Sequence, residues 1–251
     1  MTVPIVYAVG IGPGSTELLT PQARQVLENC TVIVGYKLYL DLIAPLVAGK
    51  KLIAGAMRGE LDRCRRALDA ALEGERVAVI GSGDAGIYGM AGLLYELTEL
   101  DCYRHIAIEV TPGITAAVAA AALAGAPLMN DFAVLSLSDL MTPREVILNR
   151  LEKVAAADLV TVLYNPASTR RRELPERAVE IFRSRGGNLP AALVRDAYRD
   201  GQSVKLVSLD EFPFGEVQMT TVVIIGNSET IARGGKLYVR RGYKEKYGLE
   251  K

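Results

Sequence analysis

Three glycine-rich segments of this chain each follow a β-rich run, and they are where it could hold a ligand through backbone. GIGPGS (residues 10–15) follows residues 3–9, GSGDAG (81–86) follows residues 77–80, and TPGITAA (111–117) follows residues 106–110. Glycine lets a ligand come close to the main chain, and open α/β sheets bind ligands beyond the carboxyl ends of their strands. The first segment is not a dinucleotide fingerprint. Pro13 removes a donor N–H where pyrophosphate would need one, and the next β-rich run ends at Gly35-Tyr36-Lys37, with no acid for a ribose hydroxyl. A tight turn without a ligand is the alternative for this loop. In the second segment Asp84 could hold an ammonium group or accept a proton. It could equally cap a helix that carries Tyr88, by accepting backbone N–H bonds. The third opens a run of small residues, which suits a flat group such as adenine and also suits tight helix packing. Together the three describe a backbone-lined crevice for a small polar ligand.

The second half contributes LYNPAS (163–168), the basic run STRRR (168–172) and RDAYR (195–199). Clustered arginines read either as a solvated helix face or as forks for carboxylates. His105 is the one histidine and has no serine or cysteine signature beside it, so a hydrolase triad is not expected. Cys30, Cys64 and Cys102 are widely spaced, which predicts neither a metal site nor disulfides and points to a reducing compartment. Lys plus Arg and Asp plus Glu balance at 29 each. That is not the basic excess of a nucleic-acid binder, nor is there the basic amphipathic helix of a membrane-surface protein. The start, MTVPIVYAVG, lacks a basic leader, so a cytoplasmic protein is expected.

Strand and helix signals alternate through the first half. Thr20 with Pro21 opens a helix. Residues 31–34 form a strand, and Leu61, Cys64, Leu68, Ala71 and Leu72 have helical spacing over 59–72. A further helix is expected from about Ile87, and an Ala-rich buried one over 114–129. Such alternation predicts a mostly parallel sheet covered on both faces. In the second half Thr142-Pro143-Arg144-Glu145 reads as a capping box, and residues 159–163 and 191–194 read as strands. Residues 203–209 and 217–225 read as strands joined by DEFPFGE without a helix, which predicts antiparallel pairing and a mixed sheet. The expected organisation is two α/β domains, 1–112 and 113–251.

GIGPGS, SGDAGIYGMAG and TPGITAAVAAAALAGAPL resemble the tetrapyrrole methylases. The segments GYKLY, MRGELDRCRRALDAALEG, NDFAVLSLSDLMTP, LYNPAS, TTVVIIGNSET and RRGY resemble the branch that methylates precorrin-3B at C(17) with ring contraction. The resemblance runs from Val6 to about Tyr243. It implies a two-domain tetrapyrrole methylase-like fold, a homodimer, a tetrapyrrole substrate, and S-adenosylmethionine bound in a cleft between the domains, with S-adenosylhomocysteine as product. Carried over, the cofactor contacts are Pro13, Gly83, Asp84, Ile87, Thr115, Ala116, Asn165, Ala197 and Thr221. Ring contraction needs protons moved, for which Asp84 and Tyr88 are the candidates, with Ser15 and Tyr164 behind them. Lys37, Arg58 and Arg195 are the candidates for the substrate's carboxylate arms. The chain departs from the family pattern at Asn130, where histidine is expected, and at Arg144, where tryptophan is expected.

Overall fold

The computed structural model describes residues 3–56, 59–167 and 173–248, and the chain divides into two compact units, Met1–Ala116 and Ala117–Lys251. In the first, β1 (Ile5–Gly10), α1 (Pro21–Asn29), β2 (Val32–Tyr36), α2 (Lys37–Leu42), β3 (Lys51–Gly55), α3 (Glu60–Leu72), β4 (Val77–Gly81), α4 (Ala91–Thr98) and β5 (Ala107–Thr111) follow one another. The five strands form one parallel sheet in the order β3-β2-β4-β1-β5. Side chains alternate between its faces. Val32, Val34, Val77 and Val79 pack with Cys64 and Leu68 of α3 and Leu94 of α4. Ile33, Ala78 and Ile80 pack on the other face with Leu27 of α1 and Leu40 of α2. Both faces are therefore buried, as a parallel sheet requires.

The second unit begins one residue into α5 (Ala116–Ala124) and runs through β6 (Gly125–Ala126), β7 (Phe132–Ser136), α6 (Arg144–Ala156), β8 (Val160–Tyr164), α7 (Glu173–Gly186) and β9 (Pro190–Arg195). It continues through β10 (Ser203–Ser208), β11 (Thr221–Ile225), β12 (Thr230–Arg233), β13 (Lys236–Val239) and α8 (Tyr243–Tyr247). Its main sheet has the order β10-β9-β11-β8-β7, and β12-β13-β6 form a small second one. Leu151 of α6 and Phe182 of α7 cover one face of the main sheet against Leu163, Leu193 and Val223. Among the described residues no helix is long and apolar enough to cross a membrane.

Several sequence expectations are corrected by this architecture. Helix α4 starts at Ala91, not near Ile87. Tyr88 has φ +52°, and the Gly89 backbone presses on the Ala85 carbonyl so closely that a Cβ would stand 2.3 Å from its oxygen, so helical dihedrals cannot run back through this loop. The Ala-rich helix stops at Ala124, because Gly125 at φ +138° turns the chain into β6. No capping box forms at Thr142. Pro143 itself occupies the cap position with extended ψ, and its carbonyl accepts the first helical N–H bonds, from Val146 and Ile147. On α3 the inward face carries Arg63, Cys64, Ala67, Leu68, Ala70 and Ala71, while Leu61 and Leu72 stay about half exposed. Strands β10 and β11 do not pair with each other. Each pairs antiparallel with β9, one on either side, because Leu209 and Phe212 are buried in their connection and carry the chain across the sheet instead of into a hairpin. β11 also begins at Thr221, four residues later than expected.

Burial pushes the Cys30 thiol up to about 11 and the Cys64 thiol up to about 12 from their ordinary value of 9.0, since an apolar core disfavours the thiolate. Only Cys102 is exposed. The unfolded chain releases these thiol protons first. The stability tied to Cys64 is therefore intact below about pH 9 and is lost as pH rises towards about 12. Thiol titration of the native protein at pH 8 should label Cys102 alone and all three cysteines after denaturation. Melting temperatures should fall progressively above pH 9, and a Cys64→Ala variant should show a shallower fall. Rapid native labelling of Cys64 would overturn this account.

Candidate functional site

The sheet order of the first unit sets β4, β1 and β5 side by side, so the three glycine-rich segments leave from neighbouring strand ends. Gly10 lies across from Gly81 on β4, and Val9 across from Thr111 on β5. Beyond the strands the segments stay locked through backbone. The Ile11 N–H donates to the Gly81 carbonyl at 2.9 Å, the Gly83 N–H to the Gly12 carbonyl at 2.7 Å, and the Gly12 N–H to the Gly83 carbonyl at 3.1 Å. Gly12 and Gly83 take φ +75° and +73° to make this bridge. On the other side a Cβ on Gly113 would stand 2.2 Å from the Gly83 oxygen and 2.6 Å from the Gly10 oxygen. Three backbones therefore meet where no side chain fits. Gly83 also faces the third segment, with Thr115 Cα 3.7 Å and the Ala116 nitrogen 3.5 Å from its would-be Cβ.

Asp84 closes the arrangement. One carboxylate oxygen accepts the Gly86 N–H at 2.8 Å and the other accepts the Gly113 N–H at 3.0 Å. The helix cap considered from sequence is replaced by a clip between the second and third segments. The half-buried carboxylate thus holds one backbone N–H from each of the two segments, one on either oxygen. The Ser15 hydroxyl oxygen accepts the Glu17 N–H at 3.2 Å and caps a short turn over Thr16–Leu18. Pro13 is buried, whereas Ile87 and Tyr88 are 40% and 55% exposed. Lys37 sits at the start of α2 in an exposed ion pair with Asp41 at 3.2 Å. Arg58 lies outside the described residues, as does the basic run 168–172.

In the second unit, β11 runs antiparallel to β8 and β9, so its first residue lies beside their last ones. Asn165 follows β8, Arg195 ends β9, and Thr221 opens β11 as the direct partner of Arg195. Ala197 lies between Asp196 and Tyr198, both of which have left-handed backbone, φ +48° and +58°. The Tyr198 N–H is held by Gln202 Oε1 at 2.8 Å, and the Arg195 guanidinium leans on the Asp196 carboxylate at 3.7 Å. Thr221 is buried, and its hydroxyl oxygen accepts the Gln218 N–H at 3.0 Å. The Tyr164 hydroxyl accepts the Ala117 N–H at 2.7 Å and so caps the start of α5. Asn130 and Arg144, where the sequence resemblance leads one to expect histidine and tryptophan, both have partners: Asn130 donates to the Arg240 carbonyl at 3.1 Å, and Arg144 pairs with Glu173 at 2.7 Å.

Of the five non-glycine residues with positive φ among the described residues, Tyr88, Asn165, Asp196 and Tyr198 follow the carboxyl ends of β4, β8 and β9. Strain gathered at strand ends is a mark of functional loops. Sequence reading missed this, since left-handed Tyr and Asp carry no composition signal. It also missed the Gly113 end of the Asp84 clip, and Ser136, whose hydroxyl oxygen accepts from the Asn165 carboxamide.

Residues 5–213 match the tetrapyrrole (corrin/porphyrin) methylase family, and the chain belongs to that family. It is 41% identical over 236 residues to the probable cobalt-factor III C(17)-methyltransferase of Salmonella typhimurium, covering 94% of this chain and 98% of that one. It is 44% identical over 243 residues to the cobalamin biosynthesis protein CbiHC of Archaeoglobus fulgidus, covering 97% of this chain and 54% of that protein, so it spans about half that relative's length. The crystal structure of the methyltransferase CobJ superposes with a TM-score of 0.88 at 37% identity, over 94% of this chain and 99% of that one.

The clip and the glycine junction predict separable losses. Gly113→Ala should destabilise the protein by at least ~2 kcal/mol, because its Cβ meets two carbonyl oxygens. Gly92→Ala, with open space at its Cβ and a place in α4, should leave stability unchanged or raise it by up to ~1 kcal/mol. Asp84→Ala should cost about 1.5–3 kcal/mol. Denaturant unfolding of the three variants checks the order, and a neutral Asp84→Ala would remove the clip.

Proposed function

We propose that this chain is an S-adenosylmethionine-dependent methyltransferase acting at C(17) of cobalt-factor III or its metal-free counterpart precorrin-3B, with contraction of the macrocycle. The observation that carries the reading is the backbone junction of Gly12, Gly83 and Gly113, with Thr115 and Ala116 beside it. Family membership supports the same chemistry. So do a relative named for C(17) methylation of cobalt-factor III and a methyltransferase of closely similar fold. The residues present fit the donor. A rigid loop cluster with glycine and alanine at its surface admits a nucleoside without displacing side chains. Pro13, Gly83, Asp84, Ile87, Thr115, Ala116, Asn165, Ala197 and Thr221 are its proposed contacts.

The donor's sulfonium supplies an activated methyl group and leaves as a neutral thioether. The chain's main task is then to hold donor and acceptor carbon in line, an effect worth roughly 7–11 kcal/mol of barrier in well-oriented systems. Ring contraction also needs protons delivered and removed. Asp84 and Tyr88 are the proposed carriers, Asp84 through lone pairs left over from its two amide bonds, with Ser15 and Tyr164 in reserve. Lys37, Arg58 and Arg195 are proposed to meet the acetate and propionate arms. For Lys37 and Arg195 this means exchanging Asp41 and Asp196 for substrate carboxylates. The protein is proposed to work as a cytoplasmic homodimer.

Incubation with methyl-labelled S-adenosylmethionine and each tetrapyrrole should transfer one label per macrocycle, located at C(17) by NMR in a ring-contracted product. Calorimetry should detect S-adenosylhomocysteine. Binding without transfer to either substrate would reduce the reading to a nucleoside-binding protein, and label at another carbon would reassign the substrate position.

A further inference from the structure

Strands β7 and β8 are parallel neighbours, and their last residues, Ser136 and Tyr164, lie opposite each other. The next residue, Asn165, has φ +52°, a left-handed conformation that asparagine tolerates better than other side-chain-bearing residues. Its carboxamide Nδ2 donates to the Ser136 hydroxyl oxygen at 3.1 Å. That same oxygen accepts the Ser138 N–H at 3.2 Å, and the Leu137 N–H donates to the Tyr164 carbonyl at 2.9 Å. Ser136 is therefore a node held by backbone on its own strand and turned towards the neighbouring strand end.

The consequence for Asn165 is directional. A free carboxamide presents either its oxygen or its nitrogen by rotation about its last bond. With Nδ2 tied to Ser136, Oδ1 is the end left to a ligand, and it accepts from no donor among the described residues. We propose that Ser136 is a positioning residue that locks the Asn165 carboxamide with Oδ1 outward, as an acceptor for an N–H or O–H group of the methyl donor. This rests on the proposed function, in which Asn165 contacts that donor. The selected chemistry is a hydrogen-bond donor on the ligand: an exocyclic amine, an ammonium or a ribose hydroxyl. A negatively charged group is disfavoured there.

A double-mutant cycle read by calorimetry with S-adenosylhomocysteine tests it. Ser136→Ala should weaken binding by roughly three- to tenfold, the effect of one net hydrogen bond, with the melting temperature close to that of the parent. Ser136→Thr keeps the hydroxyl and should restore most of the affinity. In an Asn165→Ala background, Ser136→Ala should have no further effect, because the residue it orients is gone; a general packing defect would persist in both backgrounds. Binding by Ser136→Ala within twofold of the parent, or equal losses in both backgrounds, overturns the inference and leaves the proposed function standing. Absence of binding by the unmodified protein defeats the proposed function and the inference together. Should Ser136→Ala fail to fold, Ser136→Cys, which lacks a strong acceptor but preserves volume, takes its place in the same cycle.

Discussion

The structure turns on the approach of three backbones at the ends of β1, β4 and β5. Gly10, Gly83 and Gly113 stand so close that a methyl group on Gly113 would occupy the place of two carbonyl oxygens. Packing of this kind is all or nothing, since the main chain has little room to yield. It makes three flexible-looking glycine segments into one rigid surface, with the Asp84 carboxylate holding the third segment to the second. Rigidity matters for the proposed chemistry, because a methyl transfer that lacks a conspicuous acid–base dyad must gain its rate from orientation.

The second unit reaches a comparable result by another route. There the strands are mixed in direction, and β11 enters the sheet with its first residue where β8 and β9 have their last. Thr221, Asn165 and Arg195 gather at one sheet end for that reason. Side chains, not glycines, hold the loops: Ser136 holds Asn165, Gln202 holds the Tyr198 backbone, and Tyr164 caps α5. Left-handed residues accompany each of these anchors. Such conformations cost of order 1–3 kcal/mol each, and they persist because the surrounding bonds leave the loops no alternative.

Asp84 shows how a residue's chemistry and its use can differ. Its type allows a proton carrier, an ammonium partner or a helix cap, and nothing in its neighbours in the chain separates these. Its amide partner Gly113 is 29 positions away. The clip reaches past the end of β1, which lies between β4 and β5 in the sheet.

Period and punctuation made much of this molecule readable from its residues. Alternating β-rich and helical runs specify the parallel first unit. Thr20 with Pro21 marks the start of α1, where the Thr20 hydroxyl does accept the Ala23 N–H. The glycine segments mark where a ligand could approach, and these features are legible because they depend on neighbours within a few positions. Strand order, the pairing of β10 and β11 with β9, the late start of α4 and the partners of Asp84, Ser136 and Tyr164 all depend on residues tens of positions apart. Those outcomes are settled when apolar faces are buried and backbone donors find acceptors in the assembled core. Local pattern holds no record of which distant acceptor each donor will meet.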